Sequence, residues 1–158
     1  MISKNKKFIL NGILIFSIFS LSAAYFIQYL LGYKPCNLCL IERIPYFAAV
    51  ILVSFIFIIN RFEKIISIIV LLFFLFGAVV SFYHFGIEQG FFSESLVCNL
   101  GKADNLSKEE LLKQLESSSI VSCKDVTFAF LGISLATINT IISMLLSGIM
   151  IKVIKNYD

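Results

Sequence analysis

The sequence has few charged residues. Acidic and basic residues make up 15% of its 158 positions, whereas 59% are hydrophobic, and the mean hydropathy is +0.94. A soluble domain of this size needs a larger polar surface, so the composition excludes an ordinary soluble protein and favours one that lies in a lipid bilayer. The formal net charge of +3 is small and scattered along the chain, which excludes a nucleic-acid-binding surface.

Tryptophan is absent, and there are only two prolines and one histidine. Aromatic contacts therefore have to come from Phe, with 17 residues, and Tyr, with six. Pro45 disfavours helical geometry at Ile44, which predicts a kinked or delayed start for any helix that begins there.

Four hydrophobic runs dominate the chain. They predict helices over about 8–31, 41–59, 65–87 and 126–151. Crossing the hydrocarbon core takes roughly 20 helical residues, and only helices satisfy their own backbone hydrogen bonds in lipid. We therefore expect an all-α membrane protein, a single domain over 1–158 built as a four-transmembrane-helix bundle. The first run follows three lysines, as in a secretory signal, but its apolar core is too long for one.

Two longer segments connect the runs on one side, at about 32–40 and 88–125. Segments 1–7, 60–64 and 152–158 on the other side hold seven Lys and Arg residues within 19 positions. Cations concentrate in short cytoplasmic segments, so this density predicts that both termini are cytoplasmic.

All four cysteines then fall on the same, external side. Cys36 and Cys39 precede the second run, and Cys98 and Cys123 lie between the third and fourth runs. An even number of thiols on the oxidising side of a membrane is what disulfide chemistry needs. The sequence therefore predicts two external cysteine-bearing loops.

The first pair has the spacing of redox-active dithiols, with two residues between the cysteines. If a helix begins near Cys39, its positive end and Arg43, one turn later, both favour the thiolate of Cys39 over its thiol. A fixed positive charge at the membrane edge is also a suitable partner for a quinone oxygen. The alternatives are a structural staple or half of a zinc site for the cysteines, and a headgroup anchor for Arg43.

The second loop carries a capping box formed by Ser107 and Glu110, followed by Leu111, Leu112 and Leu115 on one face. This pattern predicts a short amphipathic helix that rests on the membrane surface or caps the bundle. His84 lies late in the third run, at the depth expected of Cys39 and Arg43. It is a candidate quinone hydrogen-bond donor or proton relay, or else an ordinary interfacial histidine.

Several segments resemble the disulfide bond formation protein B (DsbB) family. They are CNLCLIER at 36–43, YHFGIEQG at 83–90, Cys98, Ser122-Cys123 and FLGISLA at 130–136. With four helices in the same order, the resemblance covers nearly the whole chain. It implies a thiol:quinone oxidoreductase of the bacterial inner membrane with its cysteine loops in the periplasm.

The resemblance also implies an electron path. A reduced thioredoxin-fold oxidase (DsbA-like) attacks a Cys98–Cys123 disulfide at Cys98, and Cys123 then attacks Cys36 and releases Cys39. Cys39 passes electrons to ubiquinone or menaquinone beside Arg43. On this basis the four cysteines are catalytic, Arg43, Cys39 and His84 contact the quinone, no metal takes part, and the protein works as a monomer.

Two other functions remain open from the sequence. The chain is a direct oxidase of secreted proteins if no thioredoxin-fold partner intervenes. It is a non-catalytic membrane scaffold if both disulfides are static, although a ring closed by two residues between cysteines gains little from cross-linking.

Overall fold

The computed structural model describes residues 4–59, 62–93, 98, 122–124, 129–130 and 133–155. In chain order the elements are α1 (Lys4–Tyr29), α2 (Asn37–Ile41), α3 (Ile44–Ile59), α4 (Glu63–Glu88), the two-residue strands β1 (Ala129–Phe130) and β2 (Ile133–Ser134), and α5 (Leu135–Lys155). Four segments are long and apolar enough to cross a membrane: α1, α2 with α3, α4, and α5. The prediction of a four-helix membrane bundle is confirmed, and the chain is a multi-pass membrane protein.

The bundle is organised around α4. This helix packs mainly against α5 and next against α3, while α1 packs on α3 and touches α5 only lightly. The interior is a cluster of apolar side chains from all four spans, including Leu10, Val53, Val70, Phe74 and Met150. Large apolar side chains also cover the outside, among them Phe8, Phe19, Ile51, Leu72, Val79 and Leu145. Lipid tails are the solvent that such a surface requires.

Small residues allow α4 to approach its neighbours closely. A Cβ atom at Gly77 would lie 2.9 Å from Cγ of Pro45 on α3 and 3.5 Å from Oγ of Ser143 on α5. Nearby Ser81 is fully buried, and its hydroxyl donates to the carbonyl of Gly77 at 2.7 Å. Close packing of small residues replaces the hydrophobic driving force that helices lack in lipid.

The second membrane span is interrupted, as the position of Pro45 predicts. The short helix α2 ends at Ile41, a turn follows at Glu42 and Arg43, and α3 starts at Ile44. Pro45 has no N–H to bond the carbonyl of Ile41, which favours a break or kink in the helix at this point. Because of the interruption, the Glu42 and Arg43 side chains lie at a turn between two helices.

The fourth span begins at Leu135, later than the start near residue 126 that the hydrophobic run predicts. Ala129 pairs with Ser134 and Phe130 with Ile133 as antiparallel strands, so these backbone groups bond outside a helix. The Ser134 hydroxyl oxygen then accepts a hydrogen bond from the N–H of Thr137 at 3.2 Å. This is the bond of an N-capping serine, and it fixes the helix start. The amphipathic helix expected around 106–116 lies outside the described residues.

We predict that Gly77→Leu lowers the stability of the bundle by about 1–3 kcal/mol, because the new side chain overlaps the Pro45 ring and forces α3 and α4 apart. Thermal unfolding in detergent, followed by circular dichroism, measures the change. Gly148→Leu is the matched control, since a Cβ there meets no atom within 4 Å. Equal losses at the two glycines would show that close packing at Gly77 is not the cause.

Candidate active site

The structure pairs the four cysteines as two disulfides, Cys36–Cys39 and Cys98–Cys123. Three of the four cysteines are buried, with Cys36 at 4% exposure, Cys98 at 2% and Cys123 at 1%. These three pack with Leu38 and Ile87 in one apolar cluster, separate from the main core of the bundle. Both disulfides therefore lie at the end of the bundle where α4 terminates, as the arrangement of the loops predicts.

Cys36 occupies the first position before α2. Its backbone is extended, and its sulfur accepts a hydrogen bond from the Cys39 N–H at 3.1 Å. The sequence argument for Cys39 supposes a helix that begins near it, within a second run predicted at about 41–59. The structure instead begins α2 at Asn37, so Cys36 takes the capping position and Cys39 lies within the first turn.

A cavity of about 340 Å³ opens beside the Cys36–Cys39 disulfide, which is a size typical of small-molecule sites. Its wall is mostly apolar and comes from α1 and α5. Most of its polar groups lie around the disulfide at one end, and they include Cys36, Cys39, Glu42, Arg43, His84, Glu88 and Asn139, with Lys34 and Gln28 also in the lining. An elongated apolar molecule with a polar head matches this division.

Arg43 is held against α1. Its Nη1 donates to Oε1 of Gln28 at 2.6 Å, and its Cζ lies 5.1 Å from the centre of the Tyr25 ring. The bond to the amide and the contact with the aromatic face fix the guanidinium without neutralising it. Arg43 therefore lines the cavity as a positive charge with donors that Gln28 does not use.

A chain of hydrogen bonds runs from α3 to the first disulfide. The hydroxyl of Tyr46 donates to Oδ1 of Asn139, and Nδ2 of Asn139 donates to Oε2 of Glu42 at 2.8 Å. Oε1 of Glu42 lies 2.7 Å from Nδ1 of His84. Nε2 of His84 lies 3.6 Å from the sulfur of Cys36. Four polar side chains, Tyr46, Asn139, Glu42 and His84, thus connect helix α3 to a sulfur atom.

Glu88 is a second carboxylate beside the same histidine. His84 precedes Glu88 by one helical turn on α4, and Oε1 of Glu88 lies 3.9 Å from Nε2 of His84. The side chain is only 6% exposed, and Oε2 has no hydrogen-bond partner among the described residues. The site therefore carries two acidic side chains, one fully bonded and one with a free oxygen.

The structure brings the predicted residues Cys36, Cys39, Arg43 and His84 around one cavity, with the Cys98–Cys123 pair packed next to it. The cavity is also lined by four residues to which no sequence pattern assigned a role: Gln28, Glu42, Glu88 and Asn139. The sequence does contain a signal for them, because polar side chains in or at the edge of apolar runs are functional candidates by default. Only the bundle shows that they face one another.

Two comparisons with known proteins find a match. The model of the family described as disulfide bond formation protein DsbB matches residues 6–153. An uncharacterized protein of Rickettsia prowazekii, RP370, is 32% identical over 148 residues, which cover 92% of this chain and 86% of that protein. No solved structure matches.

We predict that disulfide mapping of the protein, blocked with N-ethylmaleimide before digestion, finds Cys36 bonded to Cys39 and Cys98 bonded to Cys123. Trypsin without reductant would then give peptide 8–43 with an internal disulfide, and peptide 65–102 linked to peptide 114–124. Mass spectrometry identifies both products. Recovery of peptide 8–43 linked to either of the others would contradict this pairing for the resting protein.

Proposed function

The chain belongs to the DsbB family of disulfide bond formation proteins, and on that basis we propose that it is a thiol:quinone oxidoreductase that reoxidises a DsbA-like dithiol protein. The observation that supports this most directly is the position of the Cys36–Cys39 disulfide. It lies at the polar end of an apolar cavity within a membrane bundle, beside a fixed positive charge. A dithiol placed there is within reach of an electron acceptor dissolved in the lipid.

The residues of the cavity fit a quinone. Ring carbonyls accept hydrogen bonds. Arg43 provides donors at the polar end, and His84 provides one there when its second ring nitrogen carries a proton. A second apolar cavity, of about 370 Å³, lies between α1 and α5 and shares Phe16 and Ile142 with the first. An isoprenoid tail suits this continuation, because α1 and α5 touch only lightly. Ubiquinone and menaquinone both meet this description, and either supplies a two-electron acceptor when bound.

The reaction is the transfer of two electrons and two protons from a dithiol, which gives a disulfide and a hydroquinone. In the proposed order, the reduced partner attacks Cys98 and frees Cys123, which attacks Cys36 and frees Cys39. Each step is a thiolate attack through a mixed disulfide, so it requires neighbouring sulfurs. Burial of Cys36, Cys98 and Cys123 in one cluster supports such an exchange. The roles of Arg43 and His84 as quinone contacts belong to the same proposal.

The sidedness of the bundle follows from the charge distribution. Lys and Arg are dense in segments 1–7, 60–64 and 152–158, which favours a cytoplasmic location for both termini. Both disulfides lie at the opposite end of the bundle and would face the periplasm, where disulfides persist. The proposal therefore places the protein in the bacterial inner membrane, as a monomer that meets a soluble partner.

We predict that the purified protein catalyses quinone reduction by a reduced thioredoxin-fold dithiol protein, and that Cys39→Ser abolishes it because no disulfide can then form beside the quinone. The absorbance change of the quinone in detergent measures the rate. Undiminished turnover by Cys39→Ser would exclude the proposed path. No turnover by a correctly folded wild type with either quinone would favour a static membrane scaffold.

In the same assay Arg43→Met should raise the KM for quinone about tenfold, which is the effect of losing one charge-assisted hydrogen bond. Lys152→Met, in the last turn of α5, is the control that removes a charge away from the cavity. An unchanged KM in Arg43→Met would remove Arg43 from the quinone site.

We predict that the partner's attack occurs at Cys98. A thioredoxin-fold protein that retains only the first cysteine of its active site should form a stable mixed disulfide with the wild type. The complex should persist in the Cys36→Ser/Cys39→Ser variant, which keeps the second disulfide, and be lost in Cys98→Ser. Gel electrophoresis without reductant and peptide mapping identify the bond. A complex bonded at Cys123 would reverse the assigned order, and no complex would favour direct oxidation of secreted proteins.

A further inference from the structure

The proposed electron path does not name a group that accepts the proton of the Cys36 thiol. After Cys39 is freed, Cys98 has to take Cys123 back, which re-forms the second disulfide and releases Cys36. A thiol at Cys36 must then lose its proton before its sulfur attacks Cys39. Cys36 is 4% exposed, so bulk water does not reach its sulfur freely. A group inside the protein has to take this proton.

The hydrogen bonds around His84 determine which ring nitrogen is free to do so. Tyr46 donates to Oδ1 of Asn139, so the amide must present its N–H group to Oε2 of Glu42. The other carboxylate oxygen, Oε1, accepts from Nδ1 of His84. With its hydrogen on Nδ1, a neutral imidazole has its lone pair on Nε2. In the disulfide, the sulfur of Cys36 lies 3.6 Å from Nε2, so after reduction the Cys36 thiol can donate its hydrogen to that lone pair.

We propose that His84 is the general base for Cys36, and that Glu42 and Asn139 are positioning residues that hold its imidazole in the reactive tautomer. The arrangement is the one expected of an activated nucleophile, in which a third group orients the base. This assignment deepens the proposed function and rests on it for the identity of the final electron acceptor. It gives His84 a contact with sulfur, in addition to its place in the wall of the cavity.

The step balances without a further reagent. The Cys36 thiol gives its proton to Nε2, which produces a Cys36 thiolate and an imidazolium whose positive charge is paired with the Glu42 carboxylate. When the thiolate closes the bond to Cys39, the two sulfurs lose two electrons to the quinone. A bound quinone would accept these electrons together with two protons, one from each original thiol. A buried imidazolium requires such a counter-charge, because an isolated charge in the interior is strongly unfavourable.

The charged groups that face His84 within the described residues are few. Glu42 comes from the turn between α2 and α3, and Glu88 comes from α4 itself. Helix α5 contributes the neutral Asn139. Arg43 and Lys34 line the same cavity, and Arg43 donates to Gln28. Glu88 is a second carboxylate near the imidazole, with Oε1 at 3.9 Å from Nε2, whereas Oε1 of Glu42 lies 2.7 Å from Nδ1. The two carboxylates therefore provide a matched comparison.

The test measures Cys36 as the only thiol of the full-length protein. In a Cys39→Ser/Cys98→Ser/Cys123→Ser background, the ultraviolet absorbance of the thiolate is titrated against a variant without cysteine. Alkylation by neutral iodoacetamide over the same pH range gives an independent rate. Neither measurement requires a quinone or a partner protein, and gel filtration with circular dichroism checks that each variant is folded.

We expect His84→Gln to raise the titration midpoint of Cys36 by about one pH unit or more, and to slow alkylation at neutral pH about tenfold. Glu42→Gln keeps the shape of the side chain but removes its charge, and should produce most of this shift. Asn139→Leu should produce a smaller shift in the same direction. Glu88→Gln should shift the midpoint less than Glu42→Gln, because Glu88 does not bond Nδ1.

The sulfur of Cys39 is the control. It lies within 4.8 Å of the Cys36 sulfur and of a ring nitrogen of His84, but the hydrogen bond of His84 is to Cys36. In a Cys36→Ser/Cys98→Ser/Cys123→Ser background, His84→Gln should shift its titration less. Equal shifts at the two sulfurs, equal effects of Glu42→Gln and Glu88→Gln, or no shift in His84→Gln would each overturn the assignment.

The two proposals fail separately. A shifted Cys36 titration without quinone reduction would leave His84 as the base and reject the quinone oxidoreductase. Quinone turnover with a Cys36 titration that no substitution moves would keep the oxidoreductase and reject the base.

Discussion

The buried carboxylate of Glu42 is the interaction on which the site depends. It is 8% exposed, and it bonds His84 on α4 through one oxygen and Asn139 on α5 through the other. A carboxylate inside a membrane bundle is stable only when its oxygens accept hydrogen bonds. Through these bonds Glu42 holds α4 and α5 close to the turn that carries it. That turn exists because Pro45 interrupts the second span. One local break in a helix thus fixes the position of Glu42, the histidine and the first disulfide together.

The bundle meets two structural requirements that usually conflict. Lipid requires an apolar exterior and internally bonded backbones, which the four spans provide. Redox chemistry at sulfur requires polar groups that hold charge and move protons. The protein confines these groups to one end of a cavity whose remaining wall is mostly apolar, next to the disulfides. Small residues at the contact of α4 with α3 and α5 keep the helices close enough for this separation.

Much of the fold could be predicted from the sequence because the signals are local. Hydrophobic runs gave four spans, and CNLCLIER together with the later cysteines indicated the family that the comparisons confirm. The start of the fourth span was predicted too early, because the hydrophobic run continues through residues that pair as strands before Ser134 caps the helix. Apolar composition alone does not distinguish a strand from the start of a helix, whereas the hydrogen bond to the capping Ser134 marks where the helix begins.

The sequence by itself determined that this chain spans a membrane, that its cysteines share one end of the bundle and that Cys36, Cys39, Arg43 and His84 are candidates for one site. These conclusions depend on length, hydropathy and spacing, which the chain carries residue by residue. Only the tertiary structure decided that His84 faces Cys36 rather than Cys39, and that Asn139, 97 positions beyond Glu42, holds the carboxylate. Such contacts join residues far apart in the chain, and their geometry is set by how α4 and α5 pack, which no local pattern specifies.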